Sequence, residues 1–172
     1  MRPAIEPMAA DQEAGSRPRP ALHLRRVFDA PRELVWLAWT RPAMALNWLG
    51  PVEWPAVEVT QDLRVGGAWS ALLKSAHGDE TLRQGGVYRE IDPPNRLVFT
   101  FKWGDHHEDG APVDTIVTVV LTEITPDRTL MEFTHQHLKS SDSARGHRDG
   151  WTSSFERLGH WLSDQAQQEK SA

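Results

Sequence analysis

The chain of 172 residues contains no cysteine. That excludes disulfide cross-links, thiolate zinc sites and a cysteine nucleophile. No run of eighteen apolar residues occurs, so no segment reads as a membrane-spanning helix. Basic residues are not in excess: 19 Lys and Arg stand against 24 Asp and Glu, for a net charge of −5. No general field therefore favours nucleic acid or an anionic membrane, and neither is expected as a partner. A Rossmann fingerprint, a Walker sequence and an HExxH helix are all missing, and Ser140, Ser141, Ser143, Ser153, Ser154 and Ser163 sit in no GxSxG-like setting. The opening MRPAIEPMAADQEAGSRPRP has no continuous apolar stretch and does not read as a secretory signal, so the expected compartment is the cytoplasm. What is present in excess is tryptophan, eight residues beside five Phe and one Tyr.

Residues 1–20 are rich in proline and alanine and bury too little apolar area to offset their ordering entropy, so they read as a disordered arm. The folded domain is expected over 21–166, with a frayed tail at 167–172. Leu22 and Leu24 alternate with His23 and Arg25 as a short strand. Pro31 suits the first turn of a helix that carries Leu34, Val35 and Ala38 at helical spacing and ends at Pro42. A second short helix covers Ala43 to Trp48. Beyond Gly50 the period becomes two: Trp69, Ala71 and Leu73 share one strand face, as do Phe99, Phe101 and Trp103, then Val117, Val119 and Leu121, then Met131, Phe133, His135 and His137. Gly66-Gly67 and Asp92-Pro93-Pro94-Asn95 are turns, and Gly85-Gly86 mark a bulge or a close backbone approach. Trp151, Phe155, Leu158 and Leu162 form one stripe of a long final helix.

The fold class is therefore α+β. A curved antiparallel sheet of six to seven strands must cover one face, and the C-terminal helix is the element large enough to do so. Two short helices after the first strand close one end. The strings VFDAPRELVWLAWTRPAMALNWLGP, DLRVGGAW, GVYREIDPPNRLVFTFKW and GHRDGW, in that order, resemble bacterial START-like proteins of the birch-pollen-allergen-like (SRPBCC) superfamily. More narrowly, they resemble the group related to the C-terminal domain of the activator of the heat-shock-protein-90 ATPase. The resemblance spans about residues 22–166 and implies a helix-grip fold. It implies no single function, since members bind lipids, hormones or polyketides and some transform them. The chain lacks the separate N-terminal domain of the eukaryotic co-chaperone, so a chaperone partner is not the favoured expectation.

Strand and helix faces that converge on one space make a cavity lined by Trp69, Ala71, Phe99, Phe101, Trp103, Val117, Val119, Phe133, His135, His137, Trp151 and Phe155. Indole and phenyl faces suit a flat apolar ligand. His135 is the strongest polar candidate, as a ligand's hydrogen-bond partner, as a general base, or as a core histidine satisfied by its neighbours. His137 lies nearer the strand end and the rim. A metal site can be drawn from His135 and His137 with His106 and His107, but the last two sit in the polar loop GDHHEDGAP, so no metal and no cofactor is expected. Asp62 and Arg64 of DLRVGG read as turn residues, and Arg145, His147, Arg148 and Asp149 as a surface or capping cluster in which His147 is placed to guard an entrance. Three functions follow: binding a small hydrophobic molecule, cyclase- or hydrolase-type catalysis on a polyketide-like substrate with His135 as acid or base, and a chaperone-directed interaction surface. The first leads, and it is favoured over the third because the distinctive residues point inward. A monomer or weak homodimer is expected.

Overall fold

The computed structural model describes residues 19–104 and 114–171. Most of the expected arm (residues 1–18), the loop bearing His106 and His107, and the last residue of the tail lie outside the described residues. Strand β1 (Leu22–Phe28) leads into helices α1 (Arg32–Thr40) and α2 (Pro42–Ala45). Six strands follow: β2 (Ala56–Gln61), β3 (Ala68–Lys74), β4 (Thr81–Asp92), β5 (Arg96–Trp103), β6 (Thr115–Thr125) and β7 (Arg128–Gln136). Helix α3 (Ser141–Ser171) ends the order. The strands form one antiparallel sheet, β1-β7-β6-β5-β4-β3-β2, which grips α3. This is the helix-grip architecture. No helix among the described residues is long and apolar enough to cross a membrane.

Local chemistry sets the boundaries. Pro31 stands extended at the N-cap of α1 (φ −60°, ψ 146°), and Arg41, forced out of the helical region by Pro42, separates α1 from α2 (φ −114°, ψ 123°). Gly66 has φ +84° in the β2–β3 hairpin, where Arg64 Nε donates to Asp62 Oδ2 at 2.8 Å in the open. The DLRVGG string is thus a turn. Gly86 is a close approach: a Cβ there would lie 1.8 Å from the Thr100 carbonyl oxygen. Trp69 pairs with Gly86 across β3–β4, and its indole reaches over β4 to donate to the Thr100 carbonyl at 2.9 Å. A side chain at position 86 would block that crossing.

Alternation in β7 buries Met131, Phe133 and His135, and in β6 Thr115, Val117, Val119 and Leu121. On α3 the buried residues are Trp151, Ser154, Phe155, Leu158 and Leu162. The helix begins ten residues before Trp151 and passes straight through Asp149 and Gly150, so Asp149 does not cap it. It also continues to Ser171, through the stretch where fraying is expected. The helix pair is fastened to α3 by Arg157, whose Nη1 donates to the carbonyls of Trp48, Leu49 and Gly50 at 3.2, 3.1 and 2.7 Å. Those carbonyls follow the end of α2, where the Leu49 oxygen also accepts from Ala56 N–H at 2.9 Å, and a charged donor there is worth more than a neutral one.

Candidate functional site

A cleft of about 190 Å³ opens between the sheet and α3, on the side where α2 ends. Its walls come from four places. Leu49, Gly50, Pro51 and Trp54 belong to the segment after α2; Leu73, Leu82 and Gln84 to β3 and β4; Phe101 and Trp103 to β5; and Gly146, His147, Gly150, Trp151 and Ser154 to α3. Among the described residues, no Asp, Glu, Lys or Arg lines it. Leu82 and Gln84 face inward with Tyr88 because they share the even face of β4. Gly146 and Gly150 are one helical turn apart, and a Cβ at either would meet nothing within 4 Å.

A smaller void of about 20 Å³ shares Leu49 and Trp151 with the cleft as wall residues. Trp39, Trp48, Gln61, Trp69, Tyr88 and Phe99 are among its walls. The rings around it are close-packed: Trp39 meets Trp48 edge-on at 4.7 Å between centroids and lies stacked on Phe133 at 6.2 Å.

His135 is fully buried and does not line the cleft. Trp151 Nε1–H donates to its Nδ1 at 3.1 Å. Nδ1 therefore accepts, and the proton resides on Nε2, which donates to Thr115 Oγ1 at 2.6 Å. Thr115 in turn donates to the Phe101 carbonyl at 2.7 Å. The chain of donors from α3 through β7 and β6 to β5 is complete, and it requires a neutral ring. Burial, reinforced by His147 with ring centroids 5.0 Å away, pushes the His135 pKa down to about 3. A base near neutral pH needs a free lone pair and a pKa close to 7, and His135 has neither. His147 is similarly engaged: its Nδ1 donates to the Ser143 carbonyl at 2.8 Å and its Nε2 accepts from Trp103 Nε1–H at 3.1 Å.

The residues expected in one cavity thus divide. Phe101, Trp103 and Trp151 line the cleft, while Trp69 and Phe99 join Trp151 around the inner void. Ala71, Val117, Val119, Phe133, His135 and Phe155 are buried and line neither space. His137 is exposed: β7 stops at Gln136, and His137 takes φ +66°, which breaks the alternation that would have turned it inward. Among the described residues, no group of three His, Asp or Glu is placed to hold a metal ion. Sequence reasoning missed the α2–β2 segment, the even face of β4 and the two helical glycines. A glycine pair spaced by four within an amphipathic helix was the signal available.

A curved antiparallel sheet around one long helix, with a cleft between them, defines a helix-grip protein. The chain belongs to the family of Activator of Hsp90 ATPase homolog 1-like proteins, whose model matches residues 29–163. Solved structures agree. A protein from Chromobacterium violaceum superposes with a TM-score of 0.72 at 24% identity, over 83% of this chain and 97% of the other. The AHSA1 protein from Silicibacter pomeroyi gives 0.73 at 23% identity, over 85% and 99%. A protein from Arthrobacter aurescens gives 0.72 at 27% identity, over 84% and 86%. No curated protein matches the chain.

Proposed function

We propose that this protein binds a small, neutral, apolar or aromatic molecule in the cleft between the sheet and α3. The observation that carries this reading is the pair Gly146 and Gly150. Glycine inside a helix costs about 1 kcal/mol relative to alanine. Packing gives no reason for either one, because nothing lies within 4 Å of where a Cβ would stand. Gly159, by contrast, faces the Phe28 ring at 3.7 Å. Helix stability is given up at two positions, and both lie on the wall of the cleft.

The lining supports the chemical class. Trp54, Trp103, Trp151 and Phe101 offer ring faces and edges, and the absence of charged side chains from the walls among the described residues disfavours an ion as guest. The volume of about 190 Å³ is smaller than that of a drug-sized site and suits a guest of one or two fused rings. Binding is favoured over catalysis because both nitrogens of His135 and of His147 are already engaged.

Titration with 2-naphthol, followed by tryptophan emission and calorimetry, tests the reading. Saturable one-to-one binding is expected, since Trp103 and Trp151 border the guest. Gly150→Leu, which fills the cleft from the helix side, is expected to remove binding without lowering the melting temperature. Absence of saturable binding by any one- or two-ring neutral compound would overturn the proposal.

A further inference from the structure

Among the described residues, three buried side-chain polar atoms have no hydrogen-bond partner: Arg32 Nε, Trp39 Nε1 and Gln61 Oε1. Two of these, on Trp39 and Gln61, belong to residues that wall the inner void. Orphaned groups of this kind are rare in folded proteins and call for a partner. The Gln61 amide is oriented by its surroundings. Its Nε2 donates to the Trp39 carbonyl at 2.7 Å, an atom that only accepts, and also to Tyr88 Oη at 2.9 Å. The residues around the void therefore carry one bare acceptor, Gln61 Oε1, and one bare donor, Trp39 Nε1–H. Tyr88 adds a second donor, because its oxygen accepts from Gln61 and its own hydrogen stays available.

One acceptor and two donors are the complement of a single hydroxyl, which carries one O–H and two lone pairs. A ketone would leave Gln61 Oε1 bare, and a carboxylate or phenolate would set its charge against that oxygen. An ammonium would leave both donors bare. The volume of about 20 Å³ admits one oxygen-sized group and no ring. Leu49 and Trp151 line both this void and the cleft, so the two spaces share a wall.

We propose that the inner void is the polar end of the ligand site, taking one neutral hydroxyl of a guest whose apolar body occupies the cleft. This rests on the binding proposed above and narrows the ligand class to small aromatic or alicyclic alcohols and phenols. Leu49 and Trp151 move aside to let the hydroxyl pass, and Trp39 and Gln61 select it.

The test compares 2-naphthol with naphthalene by calorimetry on the full chain, in the wild type, Trp39→Phe and Trp161→Phe. The wild type is expected to prefer the alcohol by about 10-fold or more, the scale of a buried hydrogen-bonded pair. Trp39→Phe breaks no existing side-chain hydrogen bond, and it is expected to erase most of that preference while naphthalene still binds. Trp161→Phe removes an indole that borders neither space and is expected to keep the preference. Should Trp39→Phe fold poorly, the Trp39 indole ¹⁵N–¹H resonance of the wild type gives the same answer, shifting with 2-naphthol and not with naphthalene. Equal affinity for the two compounds, or a preference lost in Trp161→Phe but kept in Trp39→Phe, overturns the assignment while leaving cleft binding intact. An ordered water retained in the void beside a bound alcohol overturns it as well. If neither compound binds at all, the proposed function itself fails.

Discussion

His135 shows how burial decides what a titratable residue does. With no exposed surface and both nitrogens in hydrogen bonds, its imidazole ties α3 to β6 and β7. The depressed pKa has a definite sign in the stability of the fold. Above about pH 6.5 the ring is neutral in both folded and unfolded chains, and its contribution is fully present. As the pH falls toward about 3, the unfolded chain takes up a proton that the folded one refuses. Stability should fall across that window by up to about 1.4 kcal/mol per pH unit. Urea unfolding between pH 7 and 5 should show this slope in the wild type and a reduced one in His135→Gln, whose amide can also accept from Trp151 and donate to Thr115. Parallel slopes would mean that the imidazole is protonated in the folded state. Removing the indole donor by Trp151→Phe leaves Nδ1 buried and bare, a loss of about 1–3 kcal/mol in the same assay.

At the scale of elements, the parts that follow a simple period were legible in the sequence. The stripe on α3 and the alternating faces of β3 and β5–β7 repeat at 3.6 and 2 residues, and the structure buries the same residues. What periodicity does not carry is where an element stops. His137 continued the alternation in sequence, yet the strand ends one residue earlier and the backbone turns left-handed. The start of α3 was hidden because residues 141–150 are polar and contain two glycines. The cleft was misplaced for a related reason: inward-facing aromatics were taken as lining, whereas Phe133 and Phe155 are packed on each other at 5.0 Å. Space is left by small residues and by loops, and neither shows in a hydrophobic pattern. Two predictions belong here. Gly150→Ala should raise stability by roughly 0.5–1 kcal/mol, since its methyl group meets nothing and the helix gains. Arg157→Met should lower it by about 2 kcal/mol, because three carbonyls lose a charged donor; hydrogen exchange should quicken first in residues 46–50.

For the whole molecule, the tryptophans mark out one enclosed region. Trp39, Trp48 and Trp69 surround the inner void, Trp54 and Trp103 the cleft, and Trp151 lines both spaces. The three contributing layers are the helix pair, the sheet and α3, and none of them encloses the space alone. The guest proposed above is held by shape, ring faces and a few fixed polar atoms. The family relationship supplies the scaffold, and the low cleft wall at Gly146 and Gly150 supplies the room. The most direct measurement is calorimetric titration of 2-naphthol into the wild type and Gly150→Leu at matched folding stability. Saturable one-to-one binding by the wild type, lost in Gly150→Leu, is the result predicted; equal binding by both proteins, or none by the wild type, would contradict a ligand site in this cleft.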